Sequence, residues 1–229
     1  MKRMSALLAG AMLLVVTAAT AHALSLSVST NGTNWQTITD NQIGDTDTIA
    51  GSISYTDTTL SGFTKVKVAG VSEKTILGGA LYANTFEVSG STALLYLKLS
   101  DSLYNVALPT TGGGVAETGL TMQNAGATVN LKTYFGSALF DTANLIADVS
   151  LTEPGFVEQD SNLASLTNPF SLTEFLTITN VTGVASQITA SLEVTPVPEP
   201  GTMLLLSAGL MGLGIYSKRR KNAPGVIFG

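Results

Sequence analysis

Between Leu24 and Thr195 apolar and polar side chains alternate in short runs separated by turn residues. LSLSVST places Leu24, Leu26 and Val28 on one face and serines on the other, the two-residue period of a half-buried strand. Asn31-Gly32 follows as a turn. IAGSISY sets Ile49, Gly51, Ile53 and Tyr55 against small polar residues, and FTKVKVAG sends Val66 and Val68 one way and Lys65 and Lys67 the other. ALLYLKLS is apolar on nearly both faces, with Leu95, Leu97 and Leu99 against Leu94 and Tyr96, which predicts a central strand covered on both sides. TVNLKTYF, FSLTEFLTIT and QITASLEV predict three more strands, the last aligning Ile188, Ala190, Leu192 and Val194. Gly136 to Val149 reads as a loop with at most a turn of helix, and Glu153 to Phe170 as a long connection. Many short strands with turn signals predict an all-β fold, an antiparallel β-sandwich of jelly-roll type. A β-solenoid is the alternative, but no fixed internal repeat supports it.

The two ends break this pattern. Residues 1–23 read as a signal peptide: Lys2 and Arg3 are a basic start, Ala6 to Val16 an apolar centre, and Ala21-His22-Ala23 a small-x-small cleavage site. Leu24 to Thr195 is then the exported domain. At the other end Gly201 to Tyr216 carries no charge and, as a helix, would extend roughly 24 Å against a hydrocarbon core of about 30 Å. A short membrane span over about 201–217 follows from it. Lys218, Arg219, Arg220 and Lys221 come next and hold the cytoplasmic side. Pro198 and Pro200 stop a helix from running upstream, with Glu199 between them.

A signal peptide, then Val-Pro-Glu-Pro-Gly-Thr, a short Gly/Leu-rich span and Lys-Arg-Arg together resemble the PEP-CTERM sorting tail of Gram-negative bacteria, here over residues 196–221, with 222–229 as a short extra tail. The resemblance implies processing by exosortase, a membrane-embedded cysteine transpeptidase-like enzyme. It assigns Pro198, Glu199 and Pro200 as the sorting motif and the basic cluster as the stop. It also implies brief anchoring in the inner membrane, then a place at the cell surface or in the extracellular matrix, with cargo often linked to exopolysaccharide and biofilm.

Composition narrows the chemistry. The single histidine is His22, cysteine is absent, and the arginines are Arg3, Arg219 and Arg220, so the body has no His, Cys or Arg. That inventory excludes Ser-His-Asp and Cys-His catalysis and His/Cys zinc sites in the body. Fifteen carboxylates face five lysines there, a net charge of −10, which repels nucleic acid. Asp40, Asp45 and Asp47 are calcium candidates because calcium takes several carboxylate and carbonyl oxygens. The plainer reading of that loop is aspartates capping turns. TTGGGV (Thr110 to Val115) reads as a flexible loop. Trp35, with Tyr55, Tyr82, Tyr96, Tyr104 or Tyr134, could form an aromatic platform for sugar rings, although a lone tryptophan in a sandwich is more often core. Glu73, Glu87, Glu117, Glu153, Glu158, Glu174 and Glu193 could supply a glycosidase pair, but their spacing selects none, and the Glu174 slot is usually a solvent-facing charge. The expectation is an exported, non-catalytic surface or biofilm-matrix protein associated with exopolysaccharide. The alternatives are a carbohydrate-binding module and a carboxylate-based glycan-active enzyme.

Overall fold

A computed structural model describes residues 24–75, 78–89, 94–105, 113–164, 166, 168–179, 186–197, 205–213 and 216. Its strands are β1 (Ser25–Ser29), β2 (Gln36–Thr39), β3 (Ser52–Asp57), β4 (Lys65–Thr75), β5 (Gly78–Ser89), β6 (Leu95–Tyr104), β7 (Gly114–Met122), β8 (Thr128–Gly136), β9 (Asn144–Leu151), β10 (Gly155–Leu163), β11 (Phe170–Thr179) and β12 (Ser186–Pro196). Sheet A has the order β2-β1-β6-β11-β8-β9 and sheet B the order β10-β7-β12-β5-β4-β3. Neighbouring strands pair antiparallel. Strands β5 to β12 make the jelly roll, because β6-β11-β8-β9 faces β5-β12-β7-β10. The β1–β2 hairpin widens sheet A beyond β6, and the β3–β4 hairpin widens sheet B beyond β5.

The alternation in sequence becomes the core. Leu26, Val28, Leu95, Leu97, Leu99, Val129, Leu131, Leu172, Leu176 and Ile178 point inward from sheet A and are buried. Val66, Val68, Leu81, Leu120, Ile188, Leu192 and Val194 meet them from sheet B. At about 25 cal/mol per Å² of apolar surface removed from water, this double layer is the main favourable term of a fold without disulfides.

Several local expectations change. Ile49 lies before β3 and is 66 % exposed, because Gly51 turns the chain at φ +83° and the strand starts at Ser52. Strand β6 is central, but its outer face is only partly covered and Leu94 lies exposed before it. Asn144 to Leu151 is strand rather than loop, and Gly155 to Leu163 is strand rather than connection. Both are sheet edges with one ladder neighbour each; β10 buries only Leu163, while β9 buries Ile146, Ala147 and Val149. In TTGGGV, Gly114 and Val115 begin β7, while Thr110, Thr111 and Gly112 lie outside the described residues.

Three polar features sit between the sheets. Lys74 Nζ donates to Asp101 Oδ1 at 2.9 Å and to the Ser102 carbonyl at 2.6 Å. Its ammonium lies 5.2 Å from the Tyr104 ring centroid, and the Tyr104 hydroxyl meets Ser72 Oγ at 2.8 Å. The Thr118 and Thr133 hydroxyls join the sheets at 2.9 Å. Glu174, opposite Leu99 and Thr133 in the ladder, is fully buried, and neither carboxyl oxygen has a hydrogen-bond partner among the described residues.

Candidate functional site

The outer face of sheet A is built from the side chains that the core does not use. Strand β6 turns Leu97 and Leu99 inward and therefore Tyr96 and Lys98 outward. Strand β11 likewise buries Leu172, Glu174 and Leu176 and presents Phe175 and Thr177. The ladder aligns Ser27, Lys98, Phe175, Lys132 and Asp148 in one row across five strands. Ser29, Tyr96, Thr177, Asn130 and Ser150 form the next row.

A local turn delivers Trp35 to this face. Ser29 Oγ accepts from Gly32 N at 3.0 Å, and Asn31 Oδ1 accepts from Thr33 N and Asn34 N at 2.9 and 2.8 Å. Gly32 takes φ +72°, and a Cβ there would lie 3.4 Å from the Tyr96 ring, so the turn rests on that tyrosine. Trp35 meets Tyr96 and Phe175 edge-on, at centroid distances of 6.5 and 6.2 Å, and Tyr96 lies 6.2 Å from Phe175. All three rings are half-buried. Lys98 Nζ sits 4.4 Å from the Trp35 centroid and 5.1 Å from that of Phe175. Burial pushes the Lys98 pKa down. Lys132 holds Asp148 at 3.4 Å, and Asn130 Nδ2 donates to Asp148 Oδ1 and Ser150 Oγ.

This answers the expectations for the aromatic residues one by one. Trp35 is not in the core, and Tyr96 is its partner. Tyr134 shares the outer face, Tyr82 belongs to sheet B, and Tyr55 and Tyr104 are buried. Phe175 and Lys98 were missed by the sequence reading, although strand alternation in FSLTEFLTIT and ALLYLKLS puts both on the Tyr96 face.

Sheet B presents a different surface. Asp160, Glu117, Glu193, Ala80 and Glu73 line up across its strands. The carboxylates of Glu117, Glu158 and Asp160 come within 4.8 Å of one another and are exposed. The Glu158 charge, then burial, raises the Glu117 pKa above the usual carboxylate range. A hollow of about 220 Å³ beside them is lined by Glu73, Thr75, Tyr82, Glu193 and Thr195, among others. The acidic trio could contact a divalent cation, although calcium takes six to eight oxygens.

Asp40, Asp45 and Asp47 do not form such a group. Asp40 accepts from Gly51 N at 2.7 Å and from Asn41 Nδ2. Asp45 accepts from Asn41 N, Asp47 N and Ser54 N. Asp47 accepts from Ser52 Oγ at 2.6 Å and from Ile49 N, which lower its pKa. Their oxygens are committed to turns. Among the glycosidase candidates, Glu174 is not solvent-facing: burial raises its pKa well above the ordinary value and shuts it off from any glycan.

Ala21, Ala23, Pro198, Glu199, Pro200, Lys218, Arg219, Arg220 and Lys221 lie outside the described residues. Residues 205–213 are helical and exposed, and among the described residues no helix is long and apolar enough to cross a membrane. The tail is decided by sequence instead. A family model of the PEP-CTERM protein-sorting motif matches residues 196–221. The match covers the tail alone. A search of curated protein sequences finds no match. Among solved structures, this chain is similar to the CBM22-1 xylan-binding domain of Paenibacillus barcinonensis Xyn10C: TM-score 0.33, 14 % identity, 68 % of this chain and 91 % of that one. It is also similar to the K1 cleaved adhesin domain of Lys-gingipain from Porphyromonas gingivalis: TM-score 0.33, 13 % identity, 67 % and 95 % covered. A third is a carbohydrate-binding module of Cellvibrio mixtus lichenase 5A in complex with cellotriose: TM-score 0.24, 13 % identity, 68 % and 93 % covered. The jelly-roll assignment of the body stands on its own strand order.

Proposed function

We propose that this chain is exported, sorted through its PEP-CTERM tail by exosortase, and then works as a non-catalytic surface or matrix protein that holds exopolysaccharide. The aromatic face of sheet A carries this reading. Trp35, Tyr96 and Phe175 are three partly open rings within 6.5 Å of one another, on a face with Asn130, Thr177 and Lys132 beside them. Rings of this kind receive the apolar faces of sugars, while neighbouring polar groups take their hydroxyls. The body's lack of His, Cys and Arg favours binding over chemistry.

The test is affinity electrophoresis of the protein through gels containing the producer's own exopolysaccharide, with tryptophan fluorescence as a second readout. Retardation and a shift in Trp35 emission are expected, and both are lost in Trp35→Ala. No retardation, with Trp35 emission unchanged by the polysaccharide, would remove the glycan reading. Intact masses from membrane and medium test the sorting. A chain beginning at Leu24 and ending near Pro200 supports exosortase processing, while a chain that keeps Lys218 to Gly229 and stays in the membrane contradicts it. Glycan turnover that a single Glu→Gln change abolishes would overturn the non-catalytic assignment.

A further inference from the structure

We infer that the aromatic face selects an acidic glycan, one bearing uronate carboxylates, and that Lys98 reads the carboxylate. This rests on the glycan-binding reading above and adds the charge class of the ligand.

Four of the five body lysines can be sorted by their surroundings. Lys65 holds Glu87 at 2.9 Å, Lys74 holds Asp101 at 2.9 Å, and Lys132 holds Asp148 at 3.4 Å. Among the described residues Lys98 has neither a carboxylate within 4.0 Å nor a protein oxygen accepting from its ammonium. It is nevertheless half-buried, seated over Trp35 and Phe175. The rings attract its charge but accept no conventional hydrogen bond, so three N–H donors remain for an incoming group. A sugar stacked on these rings would bring its ring substituents within reach of that ammonium. A carboxylate there supplies both the opposite charge and the missing acceptors.

Charge is also segregated between the faces. Lys98 and Lys132 flank Phe175 in one row of sheet A, with Asp148 at the row's far end. Glu73, Glu117, Glu158, Asp160 and Glu193 gather on the outer face of sheet B, where they outnumber Lys65 and Lys67. An acidic polymer meets net repulsion from a body of charge −10, so sheet A is the face where it can approach.

The experiment is calorimetric titration of the protein purified from producing cells, using oligogalacturonate and oligoalginate against their methyl esters. Esterification removes the charge and keeps the sugar. The acids should bind about tenfold tighter than the esters at low salt, and the gap should close near 1 M salt, where the screening length falls to about 3 Å. Lys98→Met keeps the apolar stem over the rings, so it should erase the preference by bringing the affinity for the acids down to that for the esters. Lys67→Gln, on sheet B, should alter neither. Equal binding of acid and ester by the unmodified protein, or a preference that survives Lys98→Met, overturns the role of Lys98 and leaves the platform standing. Binding of neither form, together with no retardation by the producer's polysaccharide, overturns both readings.

Discussion

The two outer faces of the sandwich are made by the same rule and end up chemically opposed. In each sheet every second residue goes into the core, and the residues between are free of packing demands. Sheet A uses that freedom for Trp35, Tyr96, Phe175 and two lysines. Sheet B uses it for a line of carboxylates and a small hollow beside Tyr82. The inward halves are interchangeable in kind, leucine, valine and isoleucine meeting across the middle. Function in such a fold is therefore sought in the outward half, where side-chain choice is not already made by burial.

The strongest way to break the comparison is through the layer both faces share. Lys74→Ala would leave Asp101 buried without its ammonium and should destabilise the whole sandwich by about 3–5 kcal/mol, seen as a lower denaturation midpoint by every probe. Glu174 sharpens the comparison, because it precedes Phe175 and points the other way. Its folded pKa is raised, so its contribution is fully present below the unfolded value and is lost as pH climbs toward the folded value. Stability should fall with rising pH above roughly 4.5, by up to about 1 kcal/mol per pH unit. Glu174→Gln should flatten that slope in denaturant melts. A slope unchanged by Glu174→Gln would show that the carboxyl is solvated or paired in solution.

Within the faces the expected effects are smaller. Trp35→Ala should weaken glycan binding by about 2 kcal/mol, roughly 30-fold, with little change in fold, measured by titration and far-ultraviolet dichroism. Glu158→Gln on the opposite face should leave binding alone. Glu117→Gln removes a like-charge contact with Glu158 and should raise stability by at most about 0.5 kcal/mol at neutral pH. That gain should shrink as pH falls and Glu117, with its raised pKa, takes up a proton. A glycan affinity that follows Glu117 rather than Trp35 would reverse the assignment of the faces.

What could be read from the sequence, and what could not, follows from burial. Strands β4, β8, β11 and β12 announce themselves because each carries apolar residues at two-residue spacing on its inner face, Val66-Val68 or Leu176-Ile178 for example. Strands β5 and β7 are just as central but carry glycine where the sheets approach closely. A Cβ on Gly79 would run into the Tyr104 ring, and one on Gly114 would lie 2.7 Å from Leu166. Glycine erases the strand signal at the very places where packing is tightest. The edge strand β10 fails for the opposite reason, since it buries little, whereas β9 buries Ile146, Ala147 and Val149 in an order that breaks the two-residue alternation. At the site, Trp35 and Tyr96 were identifiable as candidates. Phe175 was hidden because an outward phenylalanine in an apolar-rich strand looks like one more core residue. Glu174 was misjudged because a glutamate is expected in water, although alternation with Leu172 and Leu176 already puts it on their face.

The last strand gives the tail a mechanical meaning. β12 lies in the middle of sheet B, laddered to β7 on one side and β5 on the other, and its final residue, Pro196, is the first residue of the sorting motif. Only Val197, whose N–H reaches the Gly113 carbonyl at 3.2 Å, separates that ladder from Pro198. Tension on the tail would run along the axis of β12, perpendicular to its hydrogen bonds. The bonds on both sides would share the load and would have to shear together instead of unzipping one at a time. A domain joined to its tail in this way is built to bear traction.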